Sequence, residues 1–195
     1  MQIKQCDNSI LTLQDQEIKI LEQYANEIKK WNGLSLVAKS TEDDILGWHI
    51  LDALSICCVA KNWIQYELVD FGAGSGILGY SLQCLGFSNV SFVERSAIKI
   101  DFLKKILKLS KVFESLEQIS KPAVLMARGV SSVDNILTKA NSQFEKIVLF
   151  KAIDIKKELA QARKKWNFTC KFYARKARAY GTILLLEEIS LKQPK

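Results

Sequence analysis

The run Leu68-Val69-Asp70-Phe71-Gly72-Ala73-Gly74-Ser75-Gly76 constrains the chain more than any other stretch. An apolar segment ends in an aspartate, passes through a glycine-rich turn and enters a helix-like sequence. This is the pattern of the first strand, loop and helix of a nucleotide-binding α/β sheet. Glycines at 72, 74 and 76 allow a tight turn and a close backbone approach to a ligand, and the N–H groups that open the helix can receive an anionic group. A second apolar run, Val90-Ser91-Phe92-Val93, ends in Glu94. At the tip of a neighbouring parallel strand Glu94 can accept hydrogen bonds from both hydroxyls of a ribose. Asp70, Gly72, Gly74, Gly76, Ile77 and Glu94 are therefore the expected contacts for an adenosine-containing cofactor.

Two cofactors fit this pattern. Gly74-Ser75-Gly76-Ile77-Leu78-Gly79 satisfies the G-x-G-x-x-G arrangement of dinucleotide sites, so an NAD(P)-dependent oxidoreductase stays open. Asp70 favours S-adenosylmethionine, because a carboxylate before the first glycine is ill placed beside a pyrophosphate but pairs well with an ammonium group. A glycine turn that only reverses the chain is the structural alternative.

At 195 residues, with 48% hydrophobic and 25% charged residues and two prolines, the chain is expected to form one domain with a proper core and no long disordered linker. No apolar run reaches the roughly 18 residues of a membrane span, and residues 1–10 are too polar for a secretory signal, so a cytoplasmic protein free of membrane contact is expected. The five cysteines show no C-x-x-C spacing and read as small apolar residues in a reducing compartment. With the single histidine His49, no metal site is expected.

The formal charge of +7 is concentrated. Residues 151–178 hold ten basic side chains (Lys151, Lys156, Lys157, Arg163, Lys164, Lys165, Lys171, Arg175, Lys176 and Arg178) against Asp154 and Glu158, a balance of +8 that leaves −1 for the remainder. Interleaved aromatics such as Phe168, Phe172 and Tyr173 make this a candidate polyanion-binding face, with Lys164, Lys165, Arg175 and Lys176 as its expected phosphate contacts. A solvated surface with inward aromatics would read the same way.

Apolar spacing predicts an amphipathic helix over 13–31, capped by Thr12 and Asp15, and a second from 40 or 41 to about 60. These form an N-terminal helical cap over residues 1–62. Residues 63–195 then alternate strands (66–71, 89–94, 122–127, 145–150) with helices (76–85, 97–109, 132–140, 155–165), the signature of a mostly parallel sheet covered on both faces. A further strand is expected between Leu109 and Lys121, where Lys111-Val112-Phe113 is barely long enough. Two last apolar runs, 168–174 and 181–189, predict a C-terminal antiparallel hairpin, as in class I S-adenosylmethionine-dependent methyltransferases. The expected fold is thus a Rossmann-like α/β sheet between a helical cap and a terminal hairpin.

Several separated motifs resemble the RsmG/GidB family of bacterial methyltransferases. They are Lys30-Trp31-Asn32, His49-Ile50-Leu51-Asp52-Ala53, the stretch from Asp70 to Gly79, Phe102-Leu103, Ala127-Arg128-Gly129, and Lys151 followed by Glu158. The resemblance covers most of the chain and implies transfer of a methyl group from S-adenosylmethionine to N7 of a guanine in 16S ribosomal RNA, on naked RNA or the small ribosomal subunit, by a monomer. It carries over Arg128 as a cofactor-side or substrate-side cation and Lys151 as a substrate-positioning one. Family members usually have a proline at the position of Leu78 and an arginine-hydrophobic-glutamate motif after the third strand. Here that motif reads Val112-Phe113-Glu114, which predicts weaker adenine capture, with Phe113 packed on the purine and Glu114 at its polar edge. A ribosome-associated module that retains the cofactor fold without catalysis stays open beside the enzyme. His49 and Asp52, three apart on one helical face, are expected to tie the cap to the sheet, and Trp31 and Trp48 read first as packing residues, with nucleobase stacking as the alternative.

Overall fold

The computed structural model describes residues 1–5, 7–119, 123–140, 143–151, 155–175 and 181–193. The chain opens with a hairpin, β1 (Gln2–Lys4) against β2 (Ile10–Thr12), followed by α1 (Asp15–Lys30). The cap continues through a 3-10 segment (Lys39–Asp44), a π-helical turn (Leu46–Ile50), and the short helices α2 (Leu51–Leu54) and α3 (Cys57–Ala60). Alternation then begins: β3 (Glu67–Phe71), α4 (Ile77–Cys84), β4 (Val90–Val93), α5 (Ala97–Asp101), β5 (Val112–Phe113), β6 (Ala123–Arg128), α6 (Val133–Ala140), β7 (Lys146–Lys151) and α7 (Lys156–Ala162). It closes with β8 (Trp166–Ala174) and β9 (Thr182–Leu191).

The sheet order is β5-β4-β3-β6-β7-β9-β8. The first five of these strands are parallel, and β9 enters antiparallel to both β7 and β8. Strand order reverses at β3, whose neighbours are β4 on one side and β6 on the other. The helices that follow β3 and β6 therefore cover opposite faces, and a crevice opens beyond the carboxyl ends of these strands. Period-two alternation builds both cores. Leu68, Phe92, Val124, Met126 and Val148 face the layer holding α1 and α4, while Val69, Val93, Leu125, Ala127 and Leu149 face α6 and α7. The alternating helices and strands and the terminal hairpin match the sequence expectation, and the strand expected at Lys111-Val112-Phe113 forms as the two-residue β5.

Four local features depart from it. The N-terminal hairpin was not expected; it forms because Ile3 and Leu13 bury against the cap while Asp7 Oδ1 accepts the Ser9 N–H (2.9 Å) at its turn. Helix α1 is capped two residues later than Thr12 and Asp15 suggest, with the Glu17 carboxylate accepting the Gln14 N–H at 2.7 Å. The continuous second helix is broken, since Asp44 caps Gly47 (2.8 Å), and a side chain at 47 would stand 2.2 Å from the Asp44 carboxylate. Trp31 and Trp48 are exposed, at 38% and 48%, so neither is a core residue. Cys57 is buried and Cys84 and Cys170 are half-buried.

Gly79 lies where α4 crosses the sheet: a Cβ there would sit 2.6 Å from Phe92 Cε1 and 3.0 Å from Val90 Cγ1. Helix propensity alone would make Gly79→Ala stabilising by about 1 kcal/mol. Overpacking against β4 reverses the sign, so the variant is expected to lose about 1–3 kcal/mol in urea unfolding; a gain in stability would show that α4 slides freely over the sheet.

Candidate active site

The loop between β3 and α4 is fixed by its own backbone and by an acid from the next strand. Gly72, Gly74 and Gly76 all have positive φ (70°, 60° and 83°), a conformation costly to side-chain-bearing residues. The N–H groups of Gly72 and Ala73 both donate to the Val93 carbonyl (2.8 and 3.0 Å) and that of Gly76 to the Ala73 carbonyl (2.7 Å). Glu94 follows β4; its Oε2 accepts the Gly74 N–H (2.9 Å) and its Oε1 those of Arg95 (2.8 Å) and Ser96 (2.9 Å). One carboxylate thus ties two loops at adjacent strand ends.

Asp70 lies one residue before the end of β3, 3% exposed, with Oδ2 accepting the Gly79 N–H at 2.8 Å. Burial pushes its carboxyl up from 3.8 to about 7, opposed by the Gly79 hydrogen bond and the Arg128 charge and assisted by Glu94.

Two cavities meet at this loop. A cleft of about 520 Å³ runs along the Glu94 side, lined by Phe71, Gly72, Glu94, Glu114, Ser115, Leu116, Glu117, Lys139 and Gln143. A smaller one of about 210 Å³ lies on the Asp70 side, lined by His49, Asp70, Gly72, Gly74, Ser75, Ile77, Lys99 and Arg128. Gly72 borders both, and a Cβ there would stand 2.6 Å from Val130. The arrangement fits an adenosylated amino acid: hydroxyl acceptor and nucleoside-sized cleft on one side, a carboxylate and cations on the other. Of the sequence-predicted residues, Asp70, Gly72, Gly74, Gly76, Ile77, Glu94, Glu114 and Arg128 come together around this loop.

Phe113 does not line the cleft. Strand alternation sends Val112 toward α5 and Phe113 into the opposite core, where it packs beside Val93 and Leu116, so Glu114 and the turn after it border the space. Ser115, Leu116 and Glu117, with Lys139 and Gln143, carry no motif and were not anticipated. The signal available was the capping pattern Ser115-x-x-Gln118, which fixes the turn through hydrogen bonds from the Glu114 and Ser115 N–H groups to Gln118 Oε1 (3.2 and 3.4 Å).

Arg128, at the end of β6, joins sheet to cap. Its Nη1 donates to the His49 carbonyl and to Asp52 Oδ2, both at 3.2 Å, and its Nη2 lies 3.2 Å from His49 Nδ1. His49 Nε2 stands 2.7 Å from Thr41 Oγ1, which itself donates to the Ala38 carbonyl, so the partners assign the ring proton to Nε2. Asp52, fully buried, also receives Arg175 through Nε (3.0 Å) and Nη2. The expected role of His49 and Asp52 in tying the cap to the sheet is realised through Arg128. Burial pulls the Arg128 guanidinium below its usual range, with Asp52 opposing.

Lys151 is engaged elsewhere. Its Nζ donates to the Ser131 carbonyl and pairs with Glu158 (2.8 Å), whose Oε2 also accepts the Val133 N–H (3.0 Å). It braces the loop between β6 and α6. Two of the expected phosphate contacts are likewise occupied, Lys165 by Asp134 (2.9 Å) and Arg175 by Asp52; Lys176 lies outside the described residues. No group of three or more metal-ligating side chains occurs among the described residues.

A carboxyl whose pKa is higher folded than unfolded takes up a proton on folding between the two values. Stability from Asp70 is therefore complete below pH 4 and is lost as pH rises to about 7. Asp70→Asn keeps the acceptor for Gly79 without the buried charge. Chemical unfolding should find it more stable than the unsubstituted protein at pH 8, by on the order of 2–4 kcal/mol, with the difference vanishing near pH 4. A pH-independent difference would place the Asp70 charge in contact with water.

The family described as GidB, rRNA small subunit methyltransferase G, matches residues 17–179. The chain is 30% identical over 167 residues to the ribosomal RNA small subunit methyltransferase G of Rickettsia prowazekii (strain Madrid E), covering 81% of this chain and 87% of that protein. It is 32% identical over 160 residues to the one of Rickettsia massiliae (strain Mtu5), covering 77% and 82%. Among solved structures, MtNAS in complex with MTA and tNA superposes with a TM-score of 0.56 at 12% identity, covering 90% of this chain and 71% of that one. The glycopeptide N-methyltransferase MtfA complexed with S-adenosyl-L-homocysteine gives 0.53 at 8% identity, covering 72% and 89%; both likenesses concern the fold. With the family matched across the cap, the glycine loop and the strands behind it, the chain belongs to the GidB family, the rRNA small subunit methyltransferases G.

Proposed function

We propose that this chain transfers a methyl group from S-adenosylmethionine to N7 of a guanine in 16S ribosomal RNA. The observation that carries the reading is the pair of acids at adjacent strand ends, Asp70 and Glu94, flanking a loop where a large and a small cavity meet. When bound, S-adenosylmethionine supplies an electrophilic sulfonium methyl. Glu94, already held by three backbone amides, is oriented to take ribose hydroxyls, and Glu114 borders the adenine side. Asp70, ionised above pH 7, takes the ammonium group. Guanine N7 is an unprotonated lone pair at neutral pH, so the attack needs no general base, and the chain's work is alignment and exclusion of water. Arg128, braced by Asp52 and His49, stands at the edge of the smaller cavity as the substrate-positioning cation, and Lys151 supports it by holding the adjoining loop.

Incubating the chain with small-subunit RNA and labelled S-adenosylmethionine, then cleaving at N7-methylguanine by reduction and aniline treatment, tests this directly. One labelled, cleavable guanine is expected. Label at another base or atom overturns the specificity, and binding of NAD in place of S-adenosylhomocysteine overturns the enzyme class. Glu94→Ala should weaken S-adenosylhomocysteine binding by about 1–3 kcal/mol in calorimetry while the chain stays folded.

RNA phosphate has fewer available cations than the charge run suggests. Lys156 and Lys157 are exposed in the first turn of α7, just beyond the carboxyl end of β7, and pair with no carboxylate among the described residues. Lys164 precedes β8 at the other end of the strands. Replacing Lys156 and Lys157 with alanine should flatten the dependence of log affinity on log salt by about 0.7 per lost contact, whereas Lys164→Ala should leave it unchanged. The reverse pattern would move the RNA face to the opposite end of the sheet.

A further inference from the structure

The apolar face of α1 contains one residue that packing alone does not explain. Leu21 and Ile28 are fully buried aliphatics, and Tyr24 between them is 2% exposed. A phenylalanine would fill the same volume, and a buried hydroxyl is tolerated only with a partner. The Tyr24 hydroxyl donates to the Ser75 carbonyl at 2.9 Å, fifty-one residues away. Ser75 is the centre of the glycine loop, 3% exposed, and lies between two glycines of positive φ.

The other hydrogen bonds that fix this loop come from the end of β4, from Glu94 and from the loop itself: Gly72 and Ala73 on the Val93 carbonyl, Gly74 on Glu94, Gly76 on Ala73. Tyr24 adds a hold from the cap. Its ring direction is set by an edge-to-face contact with Tyr80 of α4 (centroids 4.5 Å apart, 63° between planes), and the Tyr80 N–H donates to the Gly76 carbonyl at 2.7 Å. Burial, with the nearby Asp70, holds the phenol well above its usual range, so it stays a donor at every working pH.

We propose that Tyr24 is a positioning residue of the cofactor site: its hydroxyl holds the Ser75 carbonyl and so keeps the glycine loop in the shape that receives the amino-acid end of S-adenosylmethionine. Without that donor the carbonyl is left unsatisfied in the interior, and the flanking glycines, the most permissive residues in the segment, let the peptide rotate to find another partner. The rotation would disturb Gly74 and Ser75, which line the smaller cavity. The inference rests on the cofactor reading given above.

The test compares Tyr24→Phe, which removes one oxygen, with Leu21→Ala, which loosens the same helix face and leaves the hydroxyl in place. If Leu21→Ala does not fold, Ile28→Val takes its role. Calorimetry with S-adenosylhomocysteine should show Tyr24→Phe binding about 5- to 20-fold more weakly, the range for losing one buried hydrogen bond. The packing variant should lower the unfolding midpoint while binding within about twofold of the unsubstituted chain. In turnover, Tyr24→Phe should raise KM for S-adenosylmethionine and leave KM for RNA unchanged. Unaltered binding by Tyr24→Phe, or an equal loss in the packing variant, overturns the positioning role alone. Failure of the unsubstituted chain to bind S-adenosylhomocysteine overturns the cofactor reading, and this inference with it.

Discussion

Asp52 has no exposed surface and is shared by two guanidinium groups, Arg128 from the end of β6 and Arg175 from just beyond β8. A lone carboxylate at this depth would be strongly disfavoured, and so would either arginine without it; together they form a charge cluster that holds only while cap, sheet and hairpin are all in place. The three elements come from the beginning, middle and end of the chain, so one side chain sets their relative position. The hydrophobic layers could accept small shifts of the cap, whereas the directed bonds on Asp52 cannot. The smaller cavity inherits this precision, because Arg128 lines it.

The π-helical turn is part of the same constraint. Asp44 caps Gly47, and the widened turn that follows presents the His49 carbonyl, the His49 ring and the Asp52 carboxylate to one guanidinium. A regular helix would carry two side chains three apart on a face, but the backbone carbonyl of the first would stay within its own ladder. Insertions of this kind are common where a helix must offer backbone as well as side chain. A second π-helical turn (Phe102–Ile106) follows α5 and buries Phe102 and Leu103 beneath the glycine loop, where Leu103 would meet any side chain at Gly76 at 2.9 Å.

This separates what the sequence makes legible from what it hides. Central parallel strands are buried on both faces and read as continuous apolar runs, so β3, β4, β6 and β7 are visible, and with them Asp70, Gly72 and Glu94 at their ends. The broken second helix is hidden because Asp44 and Gly47 fall inside an otherwise continuous helical pattern, and the cap between them shows only when the Asp44 carboxylate is seen on the Gly47 N–H. The β1–β2 hairpin is hidden because three-residue strands carry almost no periodic signal. The floor of the large cleft comes from Ser115–Glu117, Lys139 and Gln143, three segments joined only by the fold, and Tyr24 reads as one more core residue until its hydroxyl is seen against Ser75.

The basic segment shows why charge counted along a chain overstates charge available to a ligand. Lys171 and Lys146 flank Glu187 across β8, β9 and β7 (2.8 and 2.6 Å) and hold its carboxyl below the usual range. Lys151 pairs with Glu158, Lys165 with Asp134, and Arg175 with Asp52, while Arg163 lies over the Phe168 ring at 4.6 Å. Strands at the end of the sheet have few parallel neighbours to cover them, and cross-strand ion pairs there fix register and order the edge at modest energetic gain. Among the described residues of the segment, Lys156 and Lys157 are exposed and pair with no carboxylate, and they lie beyond the carboxyl end of β7, the same end of the sheet that carries Arg128 and Asp70. A polyanion drawn to a diffuse +8 could dock in many orientations, whereas one drawn to the first turn of α7 meets the sheet at the end where the glycine loop lies.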